Sequence, residues 1–288
     1  MTTATVRLPP PQPSRDLAAV LADLDRNLGP GVATTLDDGP PPIQAIPTGS
    51  LALDLALGVG GIPTGRITEI YGPEGAGKTT LALSVIAQAQ QQGGTGCYID
   101  TEHALDPAWA ATAGVDLSRL VLCRPESGEQ ALQVASLLLD AAAVAVLVVD
   151  SVAALVPKAE LAADIGERLP GAQANLLSQG LRQLCGPIAR ANTAVLVTNQ
   201  LRQRAGAPGT PTYTAGGRAL GYYASVRLDV RRLQVVKEAG QMVGSRLRVL
   251  VAKNKLGPAG QSAELEVRQD RGVCELVDRP QDATRAAS

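Results

Sequence analysis

The chain has 288 residues, 45% of them hydrophobic, which suits one large domain with short appendages; with aromatics at 2% and no Phe, its core rests on Ala, Val, Leu and Ile. Net charge is −1 but unevenly spread: residues 1–200 carry 11 basic and 19 acidic side chains, and residues 201–288 carry 15 and 8, so the final third can present a basic face to a polyanion. The longest apolar run, Ala141–Val149, is too short to span a membrane, the Pro-rich start is no signal peptide, and four scattered Cys with one His argue against a zinc site and for free thiols in a reducing cytoplasm.

Residues 1–13 read as disordered, because Pro9, Pro10, Pro11 and Pro13 disfavour helix and strand alike. Ser14 is the expected N-cap of a short amphipathic helix, with Asp16 in its first turn and Leu17, Val20, Leu21, Leu24 and Leu28 at helical spacing. Gly29-Pro30-Gly31 stops it, and Pro40-Pro41-Pro42 reads as a linker. The helix and linker thus occupy 14–42, outside the main domain. The leucine stripe needs a partner, either its own core or a neighbouring subunit.

From residue 43 the chain alternates between strand and helix. Strands are expected at Arg66–Tyr71, Thr95–Asp100, Leu120–Cys123, Val144–Asp150 and Thr193–Thr198. Helices are expected at Lys78–Gln92, near Asp106–Ala113, and at Gly128–Ala142 and Ala172–Ala191. Such alternation implies an α/β domain with a mostly parallel twisted sheet between helices. Ser225–Arg232, Ser245–Ala252 and Ala263–Arg268 instead alternate with period two and read as antiparallel or edge strands. The core is expected to span 43–268, followed by a tail at 269–288.

The segment Gly72-Pro73-Glu74-Gly75-Ala76-Gly77-Lys78-Thr79 fits G-x-x-x-x-G-K-[ST] in full, between a strand and a helix, which is the context the motif requires. Its glycines allow backbone N–H groups to curl around phosphate oxygens, and the helix adds its positive dipole end. Lys78 would neutralise the β- and γ-phosphates, and Thr79 would meet Mg²⁺. Asp150, at the end of a buried strand, would hold the same ion through water.

Glu102, at the sheet's C-terminal edge, is the best candidate to activate water, with Asp100 and Asp106 as rivals. His103 reads as a surface or supporting residue. Asn199-Gln200 ends a strand on the same edge, where a polar side chain could sense the γ-phosphate. Leu201–Gly217 follows, with four Gly, two Pro and Arg202, Arg204 and Arg218 in or beside it. A long basic loop there suits nucleotide-gated binding of a polyanion, or simply a solvated surface.

The blocks TEIYGPEGAGKTTLAL, YIDTEHALDP, VVDSVAALVPKAEL, TNQLRQ, TAGGRALGYYASVRLDVRR and VAKNK resemble the bacterial RecA recombinase family over roughly residues 14–268. The resemblance implies a RecA-like P-loop ATPase that polymerises on single-stranded DNA with ATP and Mg²⁺ between subunits. It implies pairing with homologous duplex DNA, strand exchange, and co-protease action on SOS repressors. By the same resemblance Glu102 is the catalytic glutamate and Gln200 links γ-phosphate to the DNA loop. Thr80 closes the nucleotide motif, and Asp106 and Trp109 contact adenine, with Trp where the family usually has Tyr. Lys253 and Lys255 reach a neighbour's γ-phosphate. Ala162–Gly171 and Leu201–Gly217 are the two DNA loops, and Arg182, Arg202, Arg204, Gly216, Gly217 and Arg218 are DNA-contacting positions. The helix at 14–28 is a polymerisation helix.

The sequence also departs from the family. Asn175 replaces a basic residue, Gly221 replaces a lysine, the second loop is shortened and lacks its aromatic, and the family's C-terminal domain is expected to be absent. These departures leave open an ATP-gated DNA-binding filament paralogue that protects or signals without efficient strand exchange, and more remotely a P-loop kinase or helicase-like motor.

Overall fold

The computed structural model describes residues 16–35, 42–203 and 212–276. The chain divides between Pro42 and Ile43 into two units. In the first, helix α1 spans Leu17–Leu28, and Asp16, not Ser14, is its N-cap, accepting from Ala18 N at 3.4 Å. Ser14 lies outside the described residues, as do the segments 1–13 and 277–288.

In the second unit a short ribbon comes first: β1 (Ala45–Ile46) and β2 (Ile62–Pro63) pair antiparallel around α2 (Leu51–Leu57). Ser50 caps α2, and Leu53 and Leu57 are fully buried beneath it, each contributing about 1.5–3 kcal/mol. The α/β body then follows. It comprises β3 (Ile67–Gly72), α3 (Lys78–Gln91), β4 (Gly96–Asp100), α4 (Pro107–Thr112), β5 (Leu120–Cys123), α5 (Gly128–Asp140) and β6 (Val146–Asp150). After it come α6 (Lys158–Ala162), α7 (Ala172–Ala191), β7 (Ala194–Gln203), β8 (Thr212–Thr214) and α8 (Ala219–Tyr223). The last four strands are β9 (Val226–Glu238), β10 (Gln241–Asn254), β11 (Ser262–Arg268) and β12 (Gly272–Cys274).

One sheet runs β12-β11-β10-β9-β3-β7-β6-β4-β5, with β8 attached to β7. The pairs β3·β7, β7·β6, β6·β4, β4·β5 and β3·β9 are parallel, and β9 through β12 pair antiparallel. The strand expected at Ser225–Arg232 is therefore no edge strand. It lies inside the sheet, joining the parallel and antiparallel halves, and the β9–β10 hairpin runs well past the expected boundaries. The period-two pattern fades there because Arg232 to Val235 are exposed on both faces. Two apolar clusters cover the two sheet faces. Leu81, Val85 and Ile86 of α3 anchor one, and Leu139, Leu177, Leu181 and Ile188 of α5 and α7 anchor the other.

The body also extends past Arg268. β12 pairs with β11, and Glu275 accepts from Ser50 Oγ at 3.2 Å and from Leu51 N, which ties the strand's exit to the start of α2. Parallel strands that share one direction bring Gly72, Asp100, Asp150 and Asn199 to one edge, where ligands bind in open α/β sheets.

Candidate nucleotide site and nucleic-acid face

Buried β3 delivers the Gly72–Thr79 loop to that edge. Gly77 has φ 92°, which favours glycine, and a Cβ there would come 2.6 Å from Leu247 Cδ1 on β10 and push that side chain aside. No side chain caps α3, which leaves the orphan amides and positive dipole end of its first turn facing the loop. Pro73, Glu74 and Gly75 are exposed and Ala76 is buried. Lys78 Nζ donates to Gly72 O at 3.2 Å and Pro73 O at 2.7 Å, inside its own loop. Burial lowers the Lys78 pKa, opposed by the carboxylates of Asp150, Glu102 and Glu74.

Asp150 is the centre of a hydroxyl cluster that the sequence did not reveal. Its Oδ2 accepts from Thr79 Oγ1 at 2.6 Å and from Tyr98 OH at 2.5 Å, and its Oδ1 accepts from Thr198 Oγ1. Burial, then the Asp150 charge, pushes the Tyr98 phenol up, so it stays a donor. Only a structure places these residues together, because they come from α3, β4, β6 and β7. Among the described residues no group of three or more His, Cys, Asp or Glu is placed to hold a metal. One threonine hydroxyl and one carboxylate, both hard oxygen donors, fit Mg²⁺ that keeps waters and takes its other ligands from phosphates.

Glu102 is exposed on the loop after β4, and Ser151 Oγ donates to its Oε1. Thr101 locks that loop to the β6 exit, N to Asp150 O at 2.9 Å and Oγ1 to Ser151 O at 2.8 Å. Asp100 is not a water-activating rival. It is 1% exposed, and its oxygens accept from Ala104 N at 3.1 Å and Leu105 N at 3.2 Å, folding the loop that presents Glu102. Asp106 is the N-cap of α4, accepting from Ala108 N at 2.8 Å, although it remains exposed. His103 is exposed at φ 54°. Trp109 lies half-buried on α4 and donates Nε1–H to Thr80 Oγ1 at 3.2 Å, so α4 and the first turn of α3 meet.

Gln200 does not end its strand as expected: it lies within β7, opposite Gly72 at the end of β3, and the strand continues to Gln203. Its backbone is held on both sides. Asn199 Oδ1 accepts its N–H at 2.9 Å, and its carbonyl accepts from Ala215 N at 3.3 Å. Lys253 and Lys255 lie elsewhere. β10 runs antiparallel, so Lys253 pairs with Arg227 and lies towards the N-terminal edge of β3. Lys253 Nζ donates to Gly221 O at 2.7 Å and Ala224 O at 2.8 Å, and Lys255 Nζ donates to Tyr222 O at 3.1 Å. Burial, with the charges of Lys255 and Arg227, lowers the Lys253 pKa.

Gly216 (φ 80°) and Gly217 (φ 78°) pack on α7, where a Cβ would come 2.3 Å from Leu177 Cδ1 and 2.9 Å from Ala174 Cβ. Arg218 is exposed just after them, and Arg182 is exposed on α7. α7 also fixes the segment after β6, since Gln173 Nε2 donates to Val152 O and Leu155 O, both at 3.0 Å. Residues 164–168, between α6 and α7, are exposed. Arg202 is on β7, its backbone paired with Tyr213; its side chain and Arg204 lie outside the described residues. Of the second loop, Leu201–Gln203 and Thr212–Thr214 are strand.

A family profile of the RecA N-terminal domain matches residues 15–274. Protein RecA of Chloroflexus aggregans is 49% identical over 266 residues, covering 91% of this chain and 76% of that protein. Protein RecA of Bifidobacterium longum is 51% identical over 265 residues, covering 91% and 67%. The solved RadB recombinase aligns with TM-score 0.62 and 27% identity, covering 81% of this chain and all of that one.

Proposed function

The chain belongs to the RecA family, and from this we infer that it is an ATP-dependent recombinase with DNA-dependent ATPase activity, acting in DNA recombination and repair. Relatives named RecA and a recombinase neighbour favour this over a filament that only protects or signals. The carrying observation is the edge that gathers Lys78, Thr79, Asp150, Glu102 and Gln200, while Lys253 and Lys255 sit at the other end of the sheet.

The substrate is ATP, cradled by the Gly72–Thr79 backbone, with Thr80, Asp106 and Trp109 beside the base. Lys78 exchanges its two loop carbonyls for phosphate oxygens. Thr79 and, through water, Asp150 would hold Mg²⁺, which would supply positive charge to the phosphates. Glu102 orients the attacking water and takes its proton, while Ser151 steadies the carboxylate. Lys253 and Lys255 serve a neighbour's γ-phosphate, because their own sheet holds them away from their own loop. The reaction then requires a homopolymer, with α1 as the docking element, its leucine stripe supporting that role. Gln200 reports the γ-phosphate to the second loop. Arg182, Arg202, Arg204, Gly216, Gly217 and Arg218 meet single-stranded DNA, with homologous duplex DNA as second partner. We extend the reading to cleavage of SOS repressors and to a cytoplasmic setting, which four free thiols suit.

The test is ATP hydrolysis with and without single-stranded DNA, titrated in salt. A DNA-stimulated rate that falls steeply with salt is expected. A rate indifferent to DNA would overturn the reading.

A further inference from the structure

Two side chains in the middle of the sheet are fully buried, polar and outside the roles given so far: Glu69 on β3 and Asn199 on β7, each 0% exposed. A buried carboxylate is costly unless both oxygens are engaged. Here they are. Glu69 Oε1 accepts from Asn199 Nδ2 at 2.9 Å, and Oε2 accepts from Arg227 Nε. The Arg227 guanidinium in turn lies over the Tyr71 ring, 4.7 Å from its centroid.

Asn199 spends its remaining capacity on the switch region. Its Nδ2 also donates to Ala215 O at 3.1 Å, and its Oδ1 accepts Gln200 N–H at 2.9 Å. One amide thus touches three things: the buried charge, the backbone of the residue read as γ-phosphate sensor, and the point where the second loop returns to the body. Ala215 is itself 4% exposed and bonds back to Gln200 O. A movement of Gln200 therefore disturbs Ala215 unless Asn199 follows, and Asn199 is anchored to a charge that has no other place to go.

We propose that Asn199 is a positioning residue that transmits the state of Gln200 to the returning arm of the second loop, with Glu69 and Arg227 as its fixed anchor. This rests on the reading of Gln200 as the nucleotide sensor. The mechanical logic is a shared rigid contact with two attachments, and couplings of this kind typically amount to about 5–150-fold.

The test compares Asn199→Ala, Glu69→Gln and Gln200→Ala in the full chain. Asn199→Ala is expected to lower the DNA-stimulated kcat about tenfold. KM for ATP and the DNA-free rate should stay within about twofold. Amide exchange should rise at 213–217 and stay unchanged across β4 and β6. Glu69→Gln should act in the same direction but more weakly, and the double variant should be no worse than Asn199→Ala, because the two act through one another. Should alanine prevent folding, Asn199→Ser keeps a polar group in place and is expected to show the same split. A wild-type DNA-stimulated kcat in Asn199→Ala or Asn199→Ser overturns the proposal. So does a loss in which KM rises and exchange increases throughout the sheet, since that marks a purely structural residue. If Gln200→Ala retains full DNA stimulation, the sensor reading itself fails. If Gln200→Ala is defective while Asn199→Ala is normal, only the present proposal falls.

Discussion

The two ends of the central sheet are built in opposite ways. At the C-terminal edge, Lys78, Thr79, Asp150, Glu102 and Gln200 arrive on four parallel strands or the loops after them, and hydroxyl donors hold the central carboxylate. Towards the N-terminal edge, Lys253 and Lys255 rest on the carbonyls at the end of α8, and among the described residues no carboxylate is bonded to either amine. One end sets a hydroxyl-bonded carboxylate beside a glycine-rich loop and its lysine; the other holds two lysine amines on neutral backbone carbonyls. On the proposed reading, a site divided in this way would be complete only where two copies meet, and assembly would become a condition of the chemistry.

The harshest break in this comparison is Lys78→Ala, expected to lower ATP hydrolysis at least about 10³-fold by removing charge stabilisation at the phosphates. The nucleotide-free protein should keep its Tm. Burial lowers the Lys78 pKa below its ordinary 10.5, so the folded state disfavours the charged form. That cost is fully present at neutral pH and fades only as pH rises towards 10.5, so removing the amine forfeits no charge-based stability. Calorimetry at pH 7 and pH 10 checks it. Glu102→Gln comes next, with kcat down about 10²-fold and nucleotide affinity little changed, because the loss is confined to water activation. Steady-state kinetics with nucleotide titration separates the two.

Mixing inactive Lys78→Ala chains with inactive Lys253→Ala chains sharpens the comparison directly. If the two ends complete one another between copies, random one-to-one assembly restores about a quarter of the wild-type rate; lysines acting within one chain restore none. Tyr98→Phe is smaller. It removes one donor from Asp150 and should cost about 1–2 kcal/mol, read as a lower Tm with and without nucleotide. Smallest is Arg182→Ala, expected to reduce the salt slope of single-stranded DNA binding by about 0.7 if that side chain meets one phosphate.

Much of the C-terminal edge was legible in the sequence because its signals are local. A loop of fixed spacing lies between strand and helix, and an acid follows a run of valines. What was not legible depends on residues far apart in the chain. Tyr98, Thr198 and Ser151 are ordinary polar residues until β4, β6 and β7 bring their hydroxyls to Asp150 and Glu102. Asp100 and Glu102 are two residues apart, and only their different surroundings assign one to folding the loop and the other to facing solvent. The ribbon β1–α2–β2 is too short to show a period. The interior place of β9 was hidden because its distal half leaves the body and carries charge on both faces.

The contact between Trp109 and Thr80 has a practical consequence. This is the only indole in the chain, and its ring N–H is bonded to the first turn of the helix that follows the phosphate loop. The protein therefore carries its own optical reporter beside the helix that follows the Gly72–Thr79 loop. Excited at the red edge of tyrosine absorption, its emission should change as nucleotide enters, and quenching by iodide or acrylamide should fall as the pocket closes. Stopped-flow traces of that single signal would time nucleotide entry and release without any label.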